Sequence, residues 1–487
     1  MFTVTFLGHQ GWLFGAGPTR ILVDPLLTED FGAGRVGRVY PPRRLDVASF
    51  PAVDAVFFSH EHDDHLAVPT LARLDRRIPV YLSCRSSSAA RGVLREMGFS
   101  VSLLRPGEAV AVGELEVRAF APDHRASDNL DEWDVLPLHV RDRAGHGSFF
   151  SSIDVDPCAR VDAQVKALGA PGLWGATNNA TNWSFMKAGE VLDAGPDDTA
   201  ALAAALLARY GAMRADGREP SAVLVAGNGF SFEGDRAWMN ANVFAADSER
   251  LCEVARAAFP GRTFLAPAPG TTVRMVDGAV ASVDDETPFL SALPREAWPV
   301  RDYLGDVELM EHYAPACGAT DLDPDDLPEV ARELDRFAAF LYGTALFRAL
   351  LALDESALGG RRPTFCVVLR ASAAGDAFVF EYDPQGCRFA RVTDRDPVGD
   401  YVSGMECWAT DLLAVARATL GPFAIPFGRA RFWNELPREV NLTALEFCLA
   451  YHPLRDPARA LALHRHLLAA EPADPPRVRA AQAPAAR

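Results

Sequence analysis

The chain has 487 residues, 49% hydrophobic and 23% charged, with a formal net charge of -17. That length allows two or three domains with cores of their own, in a composition typical of globular proteins. A field of this sign excludes a general nucleic-acid-binding surface, because phosphate backbones are drawn to basic patches, and an anionic substrate would need a local exception. No run of about 18 apolar residues is present to span a bilayer, and the opening MFTVTFLGHQ lacks the basic leader and apolar core of a secretory signal. A cytoplasmic location is expected. The eight scattered cysteines, without a C-x-x-C pair, read as reduced thiols.

In chain order, FTVTFL, RILVDP, DAVFFS, PVYLS, LEVRAF, SFFSSI and SAVLVAG read as strands from their β-branched and aromatic content and their turn-forming borders. Helical periodicity lies between them, in LAVPTLARLDRR, SSAARGVLREMG and DDTAALAAALLARYGAMRA. Early strands follow one another with few helices and later ones alternate with helices. That order predicts an α/β fold of two sheets packed together with helices outside, an αββα sandwich. Turn residues and acids break the pattern around residues 266–290, which ends the first domain, residues 1–285, near there. Beyond it, DDLPEVARELDRFAAFLYGTALFRALLAL predicts one amphipathic helix or a pair, and TFCVVLRAS, AFVFEYD and RFARVTD predict a meander. Residues 286–470 are therefore expected as a smaller α+β accessory domain. Residues 471–487, rich in Pro and Ala, are expected as a disordered tail.

The strand DAVFFS delivers His60, His62, Asp64 and His65 into the loop that follows it. Alternation at the strand end aims His60 and His62 at one point, and the next turn sends Asp64 and His65 to a second point. Imidazole and carboxylate are ligands for Zn, Mn or Fe, and three histidines within six residues behind a buried strand are metal ligands by default, whereas acids alone are ordinary surface charge.

Two other segments bear on substrate binding. FGAGRVGR holds Gly32, Gly34 and Gly37 in a G-x-G-x-x-G spacing, but it follows a turn and opens no clear helix, so a mobile loop near the metal mouth fits better than a dinucleotide site. Its Arg35, Arg38, Arg43 and Arg44 would supply a local positive field, although solvated loop arginines are the commoner case. LWGATNNATNWSFM holds Asn178, Asn179, Asn182 and Trp183, either as amides for a polar substrate or as turn-formers satisfying local backbone.

HEHDDH matches H-x-H-x-D-H, and in this the chain resembles the metallo-β-lactamase fold superfamily. TFLGHQGWLF followed by ILVDPLL is similar to the branch that includes the ascorbate-6-phosphate lactonase-like and N-acyl-phosphatidylethanolamine phospholipase D-like proteins. That likeness places His9 and Asp24-Pro25 near the site, with His9 joining Arg35, Arg38, Asn178, Asn179 and Trp183 as substrate-side candidates. Through FAPDHRASDNLDEWDVLPLHV and SFFSSIDVD, the resemblance implies one or two divalent ions. His60, His62 and His124 would hold the first, and Asp64, His65 and a bridging Asp154 the second. DVDP stands where the family has a glycine-rich successor. The histidine that ordinarily closes the second shell has no counterpart in SAVLVAGNGFSFEGD, where Gly227 or Asn228 stands. A weakly held second ion, a residue such as His312 from elsewhere, and a single ion are all open readings.

The resemblance implies a metal-dependent hydrolase that activates water against an ester, lactone, amide or phosphodiester, with Asp64 orienting the nucleophile or passing a proton. Two alternatives stand behind it. One is a di-iron oxygenase, since these ligands suit iron equally; CMP-sialic acid hydroxylase is similar in pairing such a core with a trailing domain, but no Rieske cysteine and histidine pattern is present here. The other is a non-catalytic metal-binding protein. Residues 399–437 resemble the sterol-carrier-like extensions found in this branch, which implies an apolar pocket or an oligomer contact. The expected partner is a small-molecule substrate, anionic or acyl-bearing, with no nucleic acid, no membrane span and a homo-oligomer as the assembly.

Overall fold

A computed structural model describes residues 1–32, 35–122, 135–155, 158–178, 199–226, 229–241, 248–299, 314–434, 452 and 456–481. Two sheets stack face to face. The first runs Ala279–Asp284, Thr272–Val276, Phe2–Gly8, Gly11–Ala16, Thr19–Val23, Ala55–Phe58, Val80–Ser83, Val101–Leu104. The second runs Ala109–Val112, Leu115–Ala119, Leu138–Asp142, Ser148–Ser151, Leu173–Thr177, Ala222–Ala226, Phe264–Leu265. Each sheet starts antiparallel and turns parallel, at the pairing of Thr19–Val23 with Ala55–Phe58 and at that of Ser148–Ser151 with Leu173–Thr177. Parallel neighbours need crossovers. Helices Val68–Ala72 and Ser88–Glu96 supply them on the first sheet, and Ala159–Leu168, Thr199–Ala215 and Ser248–Ala258 on the second.

Strand alternation assigns the layers. Phe57 points between the sheets and shares a core with Trp12, Phe14, Val140, Phe149 and Leu224. Its neighbours Val56 and Phe58 point outward onto Leu71, Val93 and Leu94 of the helices. On the other side, Trp174, Val223 and Val225 pack outward onto Val161, Leu206 and Leu251. Covered on both faces, these strands read as continuous apolar runs. The fold is the expected αββα metallo-β-lactamase-like sandwich with a second, smaller α+β unit.

That second unit is a five-stranded sheet in the order Arg388–Val392, Ala377–Asp383, Arg362–Arg370, Tyr401–Trp408, Arg431–Asn434. Its first three strands in sequence form the meander, and Tyr401–Trp408 adds to Arg362–Arg370 in parallel. Helix Leu327–Gly343 covers the sheet with Val330, Leu334, Phe337 and Leu341. The long helical pattern breaks at Thr344, whose hydroxyl accepts from the Phe347 N–H and starts a second helix, Ala345–Leu351.

The chain's divisions differ from the expected ones in two ways. Leu290–Ala292 pairs with Arg43–Leu45, so pairing within the first unit runs past residue 285. Helix Pro457–Ala469 packs on Ser88–Glu96 and Val68–Ala72 of the first unit. The end of the chain is a correction: residues 471–481, expected as disordered, lie against the first unit. Val478 is fully buried and its N–H donates to the Arg73 carbonyl at 2.8 Å, Ala480 bridges to Val53, and Glu471 meets Arg73 at 3.0 Å. Composition misreads this segment because one buried valine and a few backbone hydrogen bonds to an existing surface suffice, with no core of its own required. Among the described residues, no helix is long and apolar enough to cross a membrane.

Candidate metal centre

Strand Ala55–Phe58 ends in Ser59 and His60, both fully buried. Asp24, at the end of the neighbouring strand Thr19–Val23, accepts the Ser59 N–H at 2.7 Å through Oδ1 and the Ser59 hydroxyl at 2.6 Å through Oδ2. A carboxylate can only accept, so the Ser59 proton is committed to Asp24. The Ser59 oxygen, 2.8 Å from His60 Nδ1, must then accept from Nδ1–H. The tautomer follows: His60 keeps a lone pair on Nε2. The same Asp24 Oδ2 lies 3.1 Å from Nδ1 of the buried His65, without the geometry of a hydrogen bond.

Both Nε2 atoms face carboxylates. Asp154, just past strand Ser148–Ser151 of the second sheet, sets Oδ2 3.4 Å from His60 Nε2 and 2.7 Å from His65 Nε2, and Asp64 Oδ2 is 3.7 Å from His65 Nε2. Yet neither Nε2 atom has a hydrogen bond of acceptable geometry. Buried imidazole nitrogens facing carboxylates without a hydrogen bond are a costly arrangement unless a cation lies between them. Donor atoms of His60, His62 and Asp64 fall within 4.8 Å of one another, as do those of His60, His65 and Asp154, and those of His9, Asp64 and His65. This nitrogen and oxygen donor set fits one or two divalent ions.

The charges are mutually dependent. Burial and the neighbouring His65 and His62 hold His60 well below its ordinary 6.5. For His65 burial works in the same direction, but Asp154, Asp64 and Asp24 outweigh it and raise the ring well above 6.5. Burial opposes ionisation of Asp64 too, and His65 and His9 overcome it, so its carboxyl sits below the usual carboxylate range. Next to it, Asp63 is pushed up to about 7 by burial and by the Asp64 charge.

The cluster thus gathers His60, His62, Asp64, His65 and Asp154, with Asp154 lying between His60 and His65. It also takes in His9, which the sequence placed on the substrate side. His124, Asn179, Trp183, Gly227, Asn228 and His312 lie outside the described residues. Asn178 is buried: its amide donates to Ser248 at 3.1 Å and it lines a cavity with Tyr40 and Trp298. Three of the four arginines expected to give a positive field are engaged. Arg38 pairs with Glu233, and Arg35 donates to the Ala316 carbonyl. Arg43 is buried and donates to the carbonyls of Leu7, Leu26 and Thr28, which fastens the turns that carry His9 and Asp24. Asp30–Phe31 pairs antiparallel with Gly37–Val39.

Two neighbours of the site, Asp63 and Phe423, are new from the structure, and a third gains a role there. Asp24 had a signal, the Asp-Pro turn after a buried strand, but its double duty to Ser59 and His65 is visible only in three dimensions. Phe423 of the second unit stacks edge-on to His62 at 5.5 Å between ring centroids, and no pattern in its own segment announces that contact. Asp63 and Phe423 line a cavity beside the loop together with Leu66, Pro422 and Leu463.

Residues 19–224 match the family model described as beta-lactamase superfamily domain, and the αββα layers and the His/Asp cluster accord with that match. Among curated proteins, the chain is 32% identical over 83 residues to cytidine monophosphate-N-acetylneuraminic acid hydroxylase of Danio rerio, covering 16% of this chain and 14% of that one. It is 36% identical over 74 residues to an uncharacterized protein of Mycobacterium tuberculosis, covering 15% and 20%. The chain thus spans 14% and 20% of the lengths of those two relatives. Among solved structures it is similar to isothiocyanate hydrolase from Delia radicum gut bacteria, with a TM-score of 0.40 and 15% identity, covering 56% of this chain and 99% of that one. It is also similar to CmlA, a diiron beta-hydroxylase from Streptomyces venezuelae, with a TM-score of 0.35 and 18% identity, covering 56% and 54%.

Proposed function

We propose that this chain is a metal-dependent hydrolase of an ester, lactone, amide or phosphodiester. The observation that carries the reading is the pair of buried imidazole nitrogens, His60 Nε2 and His65 Nε2, converging on Asp154 without a hydrogen bond. His60, His62 and His124 would hold one divalent ion and Asp64, His65 and Asp154 the other. When bound, such ions lower the pKa of a coordinated water and polarise a substrate carbonyl or phosphoryl oxygen. The chain's own residues do the rest. Asp24, through Ser59, fixes the tautomer of His60 before any ion arrives, which removes that reorganisation from binding. Asp64, the more open carboxylate of the cluster, orients the attacking water and carries its proton toward the leaving group. Phe31 against His9 and Phe423 against His62 keep bulk water from the ligand rings.

A second reading, an oxygenase, is favoured by the match to a hydroxylase over 83 residues and by ligands that iron accepts as readily as zinc. Metal content by mass spectrometry on protein purified without added metal separates the two, with a His60→Ala, His62→Ala double variant alongside. About two zinc or manganese ions per chain, lost in the variant, support hydrolysis. About two irons with a visible absorption band favour the oxygenase, and absence of metal from both proteins overturns either reading.

A further inference from the structure

His9 stands apart from the other members of the cluster. It comes from a different loop, the turn between strands Phe2–Gly8 and Gly11–Ala16, and it was expected to face substrate. Three observations place it on the metal side. Its ring is 1% exposed, with its face covered by Phe31 at 5.6 Å and His65 at 5.6 Å between centroids, which leaves little surface for a substrate. Its Nε2 is 2.9 Å from Asp64 Oδ2, the same oxygen that lies 3.7 Å from His65 Nε2, so His9 and His65 converge on one carboxylate atom. Its Nδ1 is buried without a hydrogen-bond partner, so Asp64 is the ring's one polar anchor among the described residues.

The turn is built at a cost. His9 has φ 55, in the left-handed region, which costs a non-glycine residue about 1–2 kcal/mol. Gly8 before it has φ +105, and a Cβ there would stand 3.0 Å from the Arg43 guanidinium. Arg43 in turn is buried and spends its donors on the carbonyl of Leu7 and on those of Leu26 and Thr28 beyond Asp24. A strained histidine backed by a buried arginine is the pattern of a side chain held for function rather than for packing.

We propose that His9 is a ligand of the second metal ion, joining Asp64, His65 and Asp154. The inference rests on the two-ion reading above and assigns to that site a second imidazole from outside the HEHDDH loop. A site so completed would hold its ion comparably to the first, instead of losing it on purification.

The test uses the full chain, with His9→Gly and His9→Gln. Glycine removes the ring and relieves the left-handed strain, so the variant should fold; glutamine keeps an amide donor within reach of Asp64. Metal content and cobalt(II) titration followed by absorption count the ions. The proton spectrum of the cobalt-loaded protein counts ligated histidines by their shifted, solvent-exchangeable imidazole N–H signals. The expected result is about two ions in the parent and about one in both variants, with one such signal fewer, and partial return of the second ion to His9→Gly on adding imidazole. Two ions retained in His9→Gln with the signal count unchanged would overturn the proposal and leave His9 as a positioning residue for Asp64. No metal in the parent would refute the metal-centre reading itself, and loss of both ions in His9→Gly would overturn the assignment to one site.

Discussion

Asp24→Asn is the most exacting change to make at this site, because it alters no candidate ligand and almost no volume. In the parent, Asp24 takes the Ser59 hydroxyl proton, Ser59 accepts from His60 Nδ1–H, and His65 Nδ1 lies 3.1 Å from the same carboxylate oxygen. Asparagine can still accept the Ser59 N–H through its carbonyl, but it then presents an NH2 group where Oδ2 was. The Ser59 hydroxyl turns to donate to His60 Nδ1, which drives the His60 proton onto Nε2, the atom facing Asp154. Each altered outer partner of a metal-bound histidine costs about 10–100-fold in affinity. A loss of that size is expected here, which corresponds to about 1.4–3 kcal/mol. Competition against a chromophoric chelator measures it, and thermal unfolding of the metal-free proteins checks that the fold is unaffected. An affinity within threefold of the parent would refute the tautomer argument.

Glu333 is buried between Arg459 and His452; burial opposes its ionisation, but the two partners lower its carboxyl from 4.5 to about 2. Its stabilising contribution is present above pH 4.5 and lost as pH falls toward 2; the difference, at about 1.4 kcal/mol per pH unit, bounds it near 3 kcal/mol. Glu333→Gln should flatten urea stability across that window, and an unchanged pH profile would count against the network. Val478→Ala removes two fully buried methyl groups and should cost about 2 kcal/mol in a urea titration, whereas no change would mean that the chain's end is not held there. Gly8→Ala should destabilise by about 1–3 kcal/mol and weaken metal binding with it, since the φ of +105 and the nearby guanidinium both oppose a methyl group; a stable variant with full metal content would contradict the view that this turn positions His9.

The layers of the fold were legible because strand content and spacing carry them: FTVTFL, DAVFFS and SAVLVAG are strands, and helices alternate with them where the sheets turn parallel. The HEHDDH loop was legible for a similar reason, as its ligands lie within six residues behind one strand. Contacts between distant segments were not legible. Arg43 looked like one of several loop arginines, and only the approach of residues 7, 26 and 28 makes it a buried clamp. His9 looked like a substrate contact because nothing local shows that a left-handed turn swings it 2.9 Å from Asp64. Phe423 reaches His62 across 361 residues of sequence, and Val478 sits in a stretch whose composition argues for disorder.

The return of the chain's end to its beginning affects how this protein is made. Helix Pro457–Ala469 and Val478 complete surfaces that begin with Val53, Arg73 and helix Ser88–Glu96. The five-stranded sheet therefore interrupts the sandwich as an insertion between its body and its last piece. Domains fold largely as they leave the ribosome, N-terminal first. Here the sandwich emerges early, and the segment that carries Val478 follows only after a whole second unit has been made. During that interval the groove that later receives Val478 stays open to chaperones and to other nascent chains.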